Sequence, residues 1–194
     1  MYGSWSTVVS TKTAPNKPTF EVKLKDYNEM NLVIGYSKGT SEYRVYRSLD
    51  DKNWERIETL PKEGTLSDSD HEVGKMYYYK VKACNSLGNC SGYVYKELKQ
   101  TVKTPKLTLE STTKKKVTVT VGSVNMAEGY KVYRATSKNG KYELIKEITD
   151  PSELTFTNST KSGYTYYYKV RAYSRVDGSK VYSPYSSIKS VKSK

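Results

Sequence analysis

One eight-residue stretch of this chain recurs with six of its residues unchanged. Met76–Ala83 reads M-Y-Y-Y-K-V-K-A, and 89 residues later Thr165–Ala172 reads T-Y-Y-Y-K-V-R-A. In each copy Tyr, Tyr, Val and Ala take every second place: Tyr77, Tyr79, Val81 and Ala83, then Tyr166, Tyr168, Val170 and Ala172. An extended chain points successive side chains to opposite faces. A period of two therefore predicts a β-strand with one buried face and one wet face.

The repetition extends well beyond these strands. Tyr43–Arg47 matches Tyr130–Arg134 at an offset of 87, and Trp54–Ile57 matches Tyr142–Ile145 at an offset of 88. Ala14-Pro15 matches Thr104-Pro105 at an offset of 90. The unit is thus about 90 residues long and occurs in two full copies, with slightly longer loops in the second. Strands are expected in the first copy near Phe20–Leu24, Asn31–Tyr36, Glu42–Arg47, Trp54–Leu60, Thr65–Ser67, Met76–Cys84 and Cys90–Val102. In the second they are expected near Lys106–Leu109, Val117–Val121, Tyr130–Arg134, Tyr142–Ile148, Leu154–Thr157, Thr165–Tyr173 and Val181–Val191. Asp50–Asn53 and Ser137–Gly140 carry turn residues between the third and fourth strands, and Asp177-Gly178 is a hairpin turn between the last two. No window carries a helical stripe. The fold class is all-β: two tandem seven-stranded antiparallel β-sandwiches.

Composition bounds the chemistry. Among 194 residues there are 20 Tyr but only two Phe, which suits thin cores whose rims meet water. Lys and Arg outnumber Asp and Glu by 33 to 20, a net charge of +13. Lysines on wet faces and edges keep sheets from pairing edge to edge. The same charge attracts polyanions weakly, but its scatter over every strand gives no groove for specific nucleic-acid binding. Lys114-Lys115-Lys116 is the one run of three. No apolar run reaches membrane-helix length, and Ser, Thr, Lys and Pro interrupt the first 20 residues, where a signal peptide would lie.

Two cysteines and one histidine leave little for a metal or thiol centre. Cys84 and Cys90 bracket N-S-L-G-N and align with Tyr173 and Tyr182 in the second copy. A disulfide closing the last hairpin would pair sulfurs where the other copy pairs rings. Two free thiols or a redox pair are the alternatives, though no C-x-x-C is present. His71 lies in S-D-S-D-H-E-V with Asp68, Asp70 and Glu72, a polar turn expected to be solvated. It lacks the glycine spacing of a calcium loop, so no metal and no cofactor is expected. No base stands ready for a nucleophile and no G-x-S-x-G occurs, so no catalytic residue is assigned.

The units resemble fibronectin type III modules of the kind found in secreted and surface proteins of Gram-positive bacteria. The residues that carry the resemblance are G-Y-K-V-Y-R at Gly129–Arg134, Gly163 followed by T-Y-Y-Y-K-V-R-A, and the A-P and T-P junctions. It implies modules at 16–104 and 105–194, an extracellular setting, and a tyrosine corner at Tyr77 and Tyr166 after the E–F turns bearing Gly74 and Gly163. The family's buried tryptophan of the second strand is replaced by Tyr36 and Val121. Residues 1–15 align with a last strand: Tyr2-Gly-Ser-Trp5-Ser6 parallels Tyr182-Ser-Pro-Tyr185-Ser186 and Cys90-Ser-Gly-Tyr93. They read as the remnant of a preceding repeat.

The outward aromatics are the better functional clue. Tyr78 and Tyr167 fall out of phase with the core, while Trp54, Trp5, Tyr93 and Tyr185 sit at strand starts. These rings are expected to cover Lys80, Lys82, Lys169 and Arg171 in a cation–π ladder, loosely similar to that of cytokine-receptor modules, or to stack on a ligand. By resemblance the F–G tips, carrying Leu87, Asn89 and Asp177, are partner-binding positions; neither contains R-G-D. The expected role is non-catalytic: spacer or accessory modules of a larger secreted or cell-surface protein, next to neighbouring repeats on a near-linkerless, semi-rigid rod. Adhesion to a host protein or glycan through F–G loops or tyrosines is the alternative. A eukaryotic receptor ectodomain fits the lysine-rich, cysteine-poor composition less well.

Overall fold

The structure, a computed structural model, describes residues 13–194. Its regular elements are all strands: β1 (Phe20–Asp26), β2 (Glu29–Ile34), β3 (Glu42–Ser48), β4 (Glu55–Leu60), β5 (Gly64–Asp68), β6 (Met76–Cys84) and β7 (Val94–Lys99), then β8 (Leu107–Glu110), β9 (Lys116–Val121), β10 (Gly129–Ala135), β11 (Glu143–Ile148), β12 (Thr155–Ser159), β13 (Thr165–Val176), β14 (Ser179–Tyr182) and β15 (Lys189–Lys192). The chain forms two compact units, one built on Asn31–Ser67 and Met76–Leu98, the other on Lys99–Lys194 with Leu24–Met30 and Asp68–Lys75. The proposed remnant strand, residues 1–15, lies largely outside the described residues, as does Trp5.

The first seven strands make two sheets, ordered β1-β2-β5 and β4-β3-β6-β7. The next eight repeat the plan as β8-β9-β12 and β11-β10-β13, with β14 and β15 both pairing β13. Equivalent strands share register. Tyr43 faces Ala83 and Val45 faces Val81, while Tyr130 faces Ala172 and Val132 faces Val170. Even the irregularities repeat: the third–fourth strand pairing shifts between Val45 and Tyr46, and again between Val132 and Tyr133.

The period of two is obeyed on the core side. Tyr77, Tyr79, Val81 and Ala83 are buried, and so are Tyr166, Tyr168, Val170 and Ala172. In the second unit they join Leu107, Val117, Val119, Val121, Tyr130, Val132 and Ile148 in one cluster. Each fully buried aliphatic of that size contributes about 1.5–3 kcal/mol against an exposed one.

Three expectations are corrected. Tyr36 is not the core residue of the second strand: it follows the strand's end and is 68% exposed. Ile34 is the buried counterpart of Val121, since each precedes a glycine whose N–H donates to the first strand's side, Gly35 to Thr19 O and Gly122 to Lys106 O. Val181–Val191 is not one strand but two, β14 and β15, and in the first copy Cys90 makes an isolated bridge before β7 begins. Pro184 explains part of the break, since it has no N–H for the ladder. Finally, His71 is not solvated. Its backbone N–H donates to Asn28 O at 3.1 Å, and its buried ring lies 3.2 Å from Asp68 Oδ2 and 3.3 Å from Asn28 O.

Candidate functional site

The outward face of the larger sheet in each unit is filled by alternating rings and cations. In the first unit Lys80 Nζ lies 4.0 Å from the Trp54 ring centre, 4.7 Å from Tyr93 and 5.6 Å from Tyr46. Lys82 follows, 5.0 Å from Tyr93 and 5.9 Å from Tyr46. The second unit repeats the arrangement with its own residues. Lys169 lies 4.1 Å from Tyr185 and 4.5 Å from Tyr142, and Arg171 lies 3.8 Å from Tyr182 and 4.9 Å from Tyr185. The rows arise because residues two apart on one strand share a face and rings from both neighbouring strands lean over them. Each contact is worth about 0.5–1 kcal/mol at a wet site, and the alkyl stems are shielded as well.

The ladder tunes its own tyrosines in opposite senses. Burial pushes the Tyr93 phenol up, but hydrogen bonding and charge from Lys82, with help from Tyr46 and Lys80, outweigh it and hold the group below its ordinary value. Its counterpart Tyr185 is raised, chiefly by burial and then by its hydrogen bond with Tyr133, against the pull of Arg171.

Three serines hold the broken last strands in place, a role that inspection of the motif alone does not reveal. Ser186 N–H donates to Val170 O at 2.8 Å, while Ser186 Oγ accepts from Val170 N–H at 3.1 Å. Ser183 makes the same pair of bonds with Ala172, and Ser91 makes it with Ala83. A hydroxyl oxygen thus replaces the carbonyl that a regular strand would supply. The signal was the recurring serine of S-P-Y-S and C-S-G-Y, beside aromatics that drew the functional reading.

The last hairpins carry the sulfur and ring pairs in equivalent places. Cys84 and Cys90 form a disulfide, with facing Cα atoms 4.0 Å apart. Tyr173 faces Tyr182 edge-on, ring centres 5.8 Å apart. Asn85 shapes the first F–G tip: its Oδ1 accepts from the N–H groups of Leu87 and Asn89, and its Nδ2 donates to Thr13 O. Leu87 and Asn89 are exposed on that tip. Asp177 is exposed at the other, where φ of 50° at Asp177 and 76° at Gly178 makes a two-residue hairpin turn of the primed type. Both corner tyrosines are buried, and Tyr166 Oη accepts from Lys161 N–H at 2.9 Å. The turns before them use Gly74 and Gly163 at positive φ, 94° and 84°.

Tyr78, Tyr167 and Trp54 are half-buried on the outward face rather than fully displayed. The first unit brings Trp54 and Tyr78 together beside a hollow of about 270 Å³, with Tyr95, which sequence reasoning overlooked. Among the described residues no three His, Cys, Asp or Glu side chains converge as metal ligands would.

No protein-family model matches the sequence, and no curated protein matches it. Solved structures do. A chicken interferon gamma receptor alpha chain superposes with a TM-score of 0.50 at 18% identity, covering 91% of this chain and 98% of that one. The likeness is one of fold, two tandem antiparallel β-sandwiches. A two-domain fibronectin type III segment of chicken tenascin gives 0.45 at 14% identity, covering 91% and 99%. The FN1–FN3 domains of chicken CNTN1 give 0.41 at 17%, covering 96% and 71%.

Proposed function

We propose that the two modules, 16–104 and 105–194, are non-catalytic extracellular parts of a larger secreted or cell-surface protein. Their main task is to space and support what flanks them. The observation that carries this reading is the duplicated ladder: both copies spend their outward sheet face on interleaved rings and cations at matching positions. Such a face stiffens the sheet and leaves the loops to vary. The motifs at Gly129–Arg134 and Thr165–Ala172 support a Gram-positive parent.

The test is replacement within the parent chain. Deleting the modules should impair display or activity of the flanking parts, and an unrelated fibronectin type III pair of equal length should restore it. Failure of the unrelated pair to restore it would reject the spacer role. A second reading, adhesion, is favoured by one observation: Tyr95 is 58% exposed and Leu87 60% exposed, large apolar side chains with most of their surface in water.

A further inference from the structure

We infer that the hollow between Trp54 and Tyr95 in the first module is a binding site for a neutral sugar ring. Trp54 and Tyr95 meet edge to face with ring centres 6.1 Å apart, and Tyr78 lines the same hollow. Asp51, Lys96 and Glu97 form its polar lining. All three are exposed, and Lys96 also lies within electrostatic reach of Glu21, which is itself paired with Lys23. A second, larger hollow of about 510 Å³, reaching Leu49 and Asn53, shares the Trp54 wall.

The second module is an internal control for what the fold requires. Lys80 corresponds to Lys169, and the cation is stacked on a ring in both copies. The ring beneath it is Trp54 in one and Tyr142 in the other, so a tyrosine suffices for the ladder. Tyr93 aligns with Tyr185, which places Ser187 at the position of Tyr95 and Lys189 at that of Glu97. The fold therefore accepts a small polar residue where the first module displays a ring. Tyr95 touches Trp54 and Tyr93 only in part and keeps more than half its surface in water, at a position where the other copy needs no ring, which marks a surface kept for contact.

Charge decides the class of ligand. Asp51 and Glu97 are offset by Lys96 and by Lys80, whose ammonium lies over the Trp54 ring. A charged ligand of either sign meets as much repulsion as attraction. A wholly apolar ligand would strip water from two carboxylates and an ammonium without replacing their hydrogen bonds. A pyranose avoids both penalties. Its C–H face packs on the rings, and its rim hydroxyls both donate to Asp51 and Glu97 and accept from Lys96. This inference rests on the extracellular, non-catalytic reading but not on the spacer role, which the replacement experiment judges separately.

The experiment displays the intact chain multivalently over immobilised cellohexaose, chitohexaose, maltohexaose, laminarihexaose and lacto-N-tetraose, with heparin and polygalacturonate as acidic comparators. Salt is raised from about 0.15 M to about 1 M, which shortens screening from about 8 Å to about 3 Å. At least one neutral glycan should bind, with a signal unchanged by salt. Tyr95→Ser and Glu97→Lys, both residues the second module already carries, should each weaken it at least about tenfold without altering the thermal melt. Binding confined to the acidic polymers and abolished by salt would overturn the inference. So would equal binding by Tyr95→Ser, or no binding to any neutral glycan.

Discussion

Gly129 lies against the ring of Tyr173 so closely that a Cβ there would fall 2.6 Å from Tyr173 Cζ and 2.5 Å from Ile148 O. Across the ladder the two residues are direct partners. In the first module the same pair is Glu42 and Cys84. The copy that closes its hairpin with sulfur tolerates a full side chain opposite, whereas the copy that closes it with a ring needs glycine.

Gly129→Ala is thus expected to destabilise the second module by about 1–3 kcal/mol through overpacking. Glu42→Gly should cost less, through backbone entropy and the lost ion pair with Arg44. Urea unfolding monitored by NMR resolves the two modules. Equal sensitivity at the two sites would mean that both the Tyr173 ring and the Ile148 carbonyl give way to a methyl group.

The disulfide makes the complementary prediction. Cys84–Cys90 closes a short loop, with a sequence separation of 6, for which chain entropy gives about 2 kcal/mol. The Cys84→Ala/Cys90→Ala double variant should lose about that much in the first module and leave the second module's amide exchange unchanged. A negligible loss would show that the bonds made by Asn85 hold the tip without the covalent link.

The serine bonds permit a sharper test. Val170 N–H and Ala172 N–H are buried, and each has a serine hydroxyl as acceptor. Ser186→Ala leaves Val170 N–H without that acceptor, at a cost of about 1–3 kcal/mol. Faster hydrogen exchange is expected at Val170, while Ala172, held by Ser183, should keep its protection. Exchange rising equally at both amides would indicate that the segment as a whole has come away.

Periodicity made the core strands legible because alternation records which face is wet, and Tyr79 and Tyr168 are indeed fully buried. The ladder was legible too, since Lys80 and Lys169 share the outward phase of their strands with Tyr78 and Tyr167 in both copies. What escaped were features set by partners distant in sequence. Tyr36 looked like a core residue by its aromatic type, but the strand stops at Ile34. His71 looked like part of a wet acidic turn because Asn28, 43 residues away, gives no local sign that it will cover the ring. Tyr95 was passed over because its importance lies in contrast with Ser187, not in any motif of its own.

Tyr168 links the core to alkaline stability. Its hydroxyl donates to Asn158 Oδ1 at 2.9 Å, and Arg134 donates to the same oxygen at 2.8 Å. Burial, opposed by Arg134 and reinforced by Tyr166, pushes the phenol from 10.0 up to about 12. The folded chain therefore holds this proton more tightly than the unfolded chain does. The stabilisation is complete below pH 10 and is lost as pH rises through about 12. Tyr168→Phe should be less stable near neutrality by about 1 kcal/mol, for the missing hydrogen bond. Its stability should then decline less steeply between pH 10 and 12, because it has no phenol to ionise there. Urea midpoints measured across that interval, with Tyr167→Phe as a same-strand control, decide the matter. A decline as steep in Tyr168→Phe as in the native chain would assign the alkaline transition to other groups.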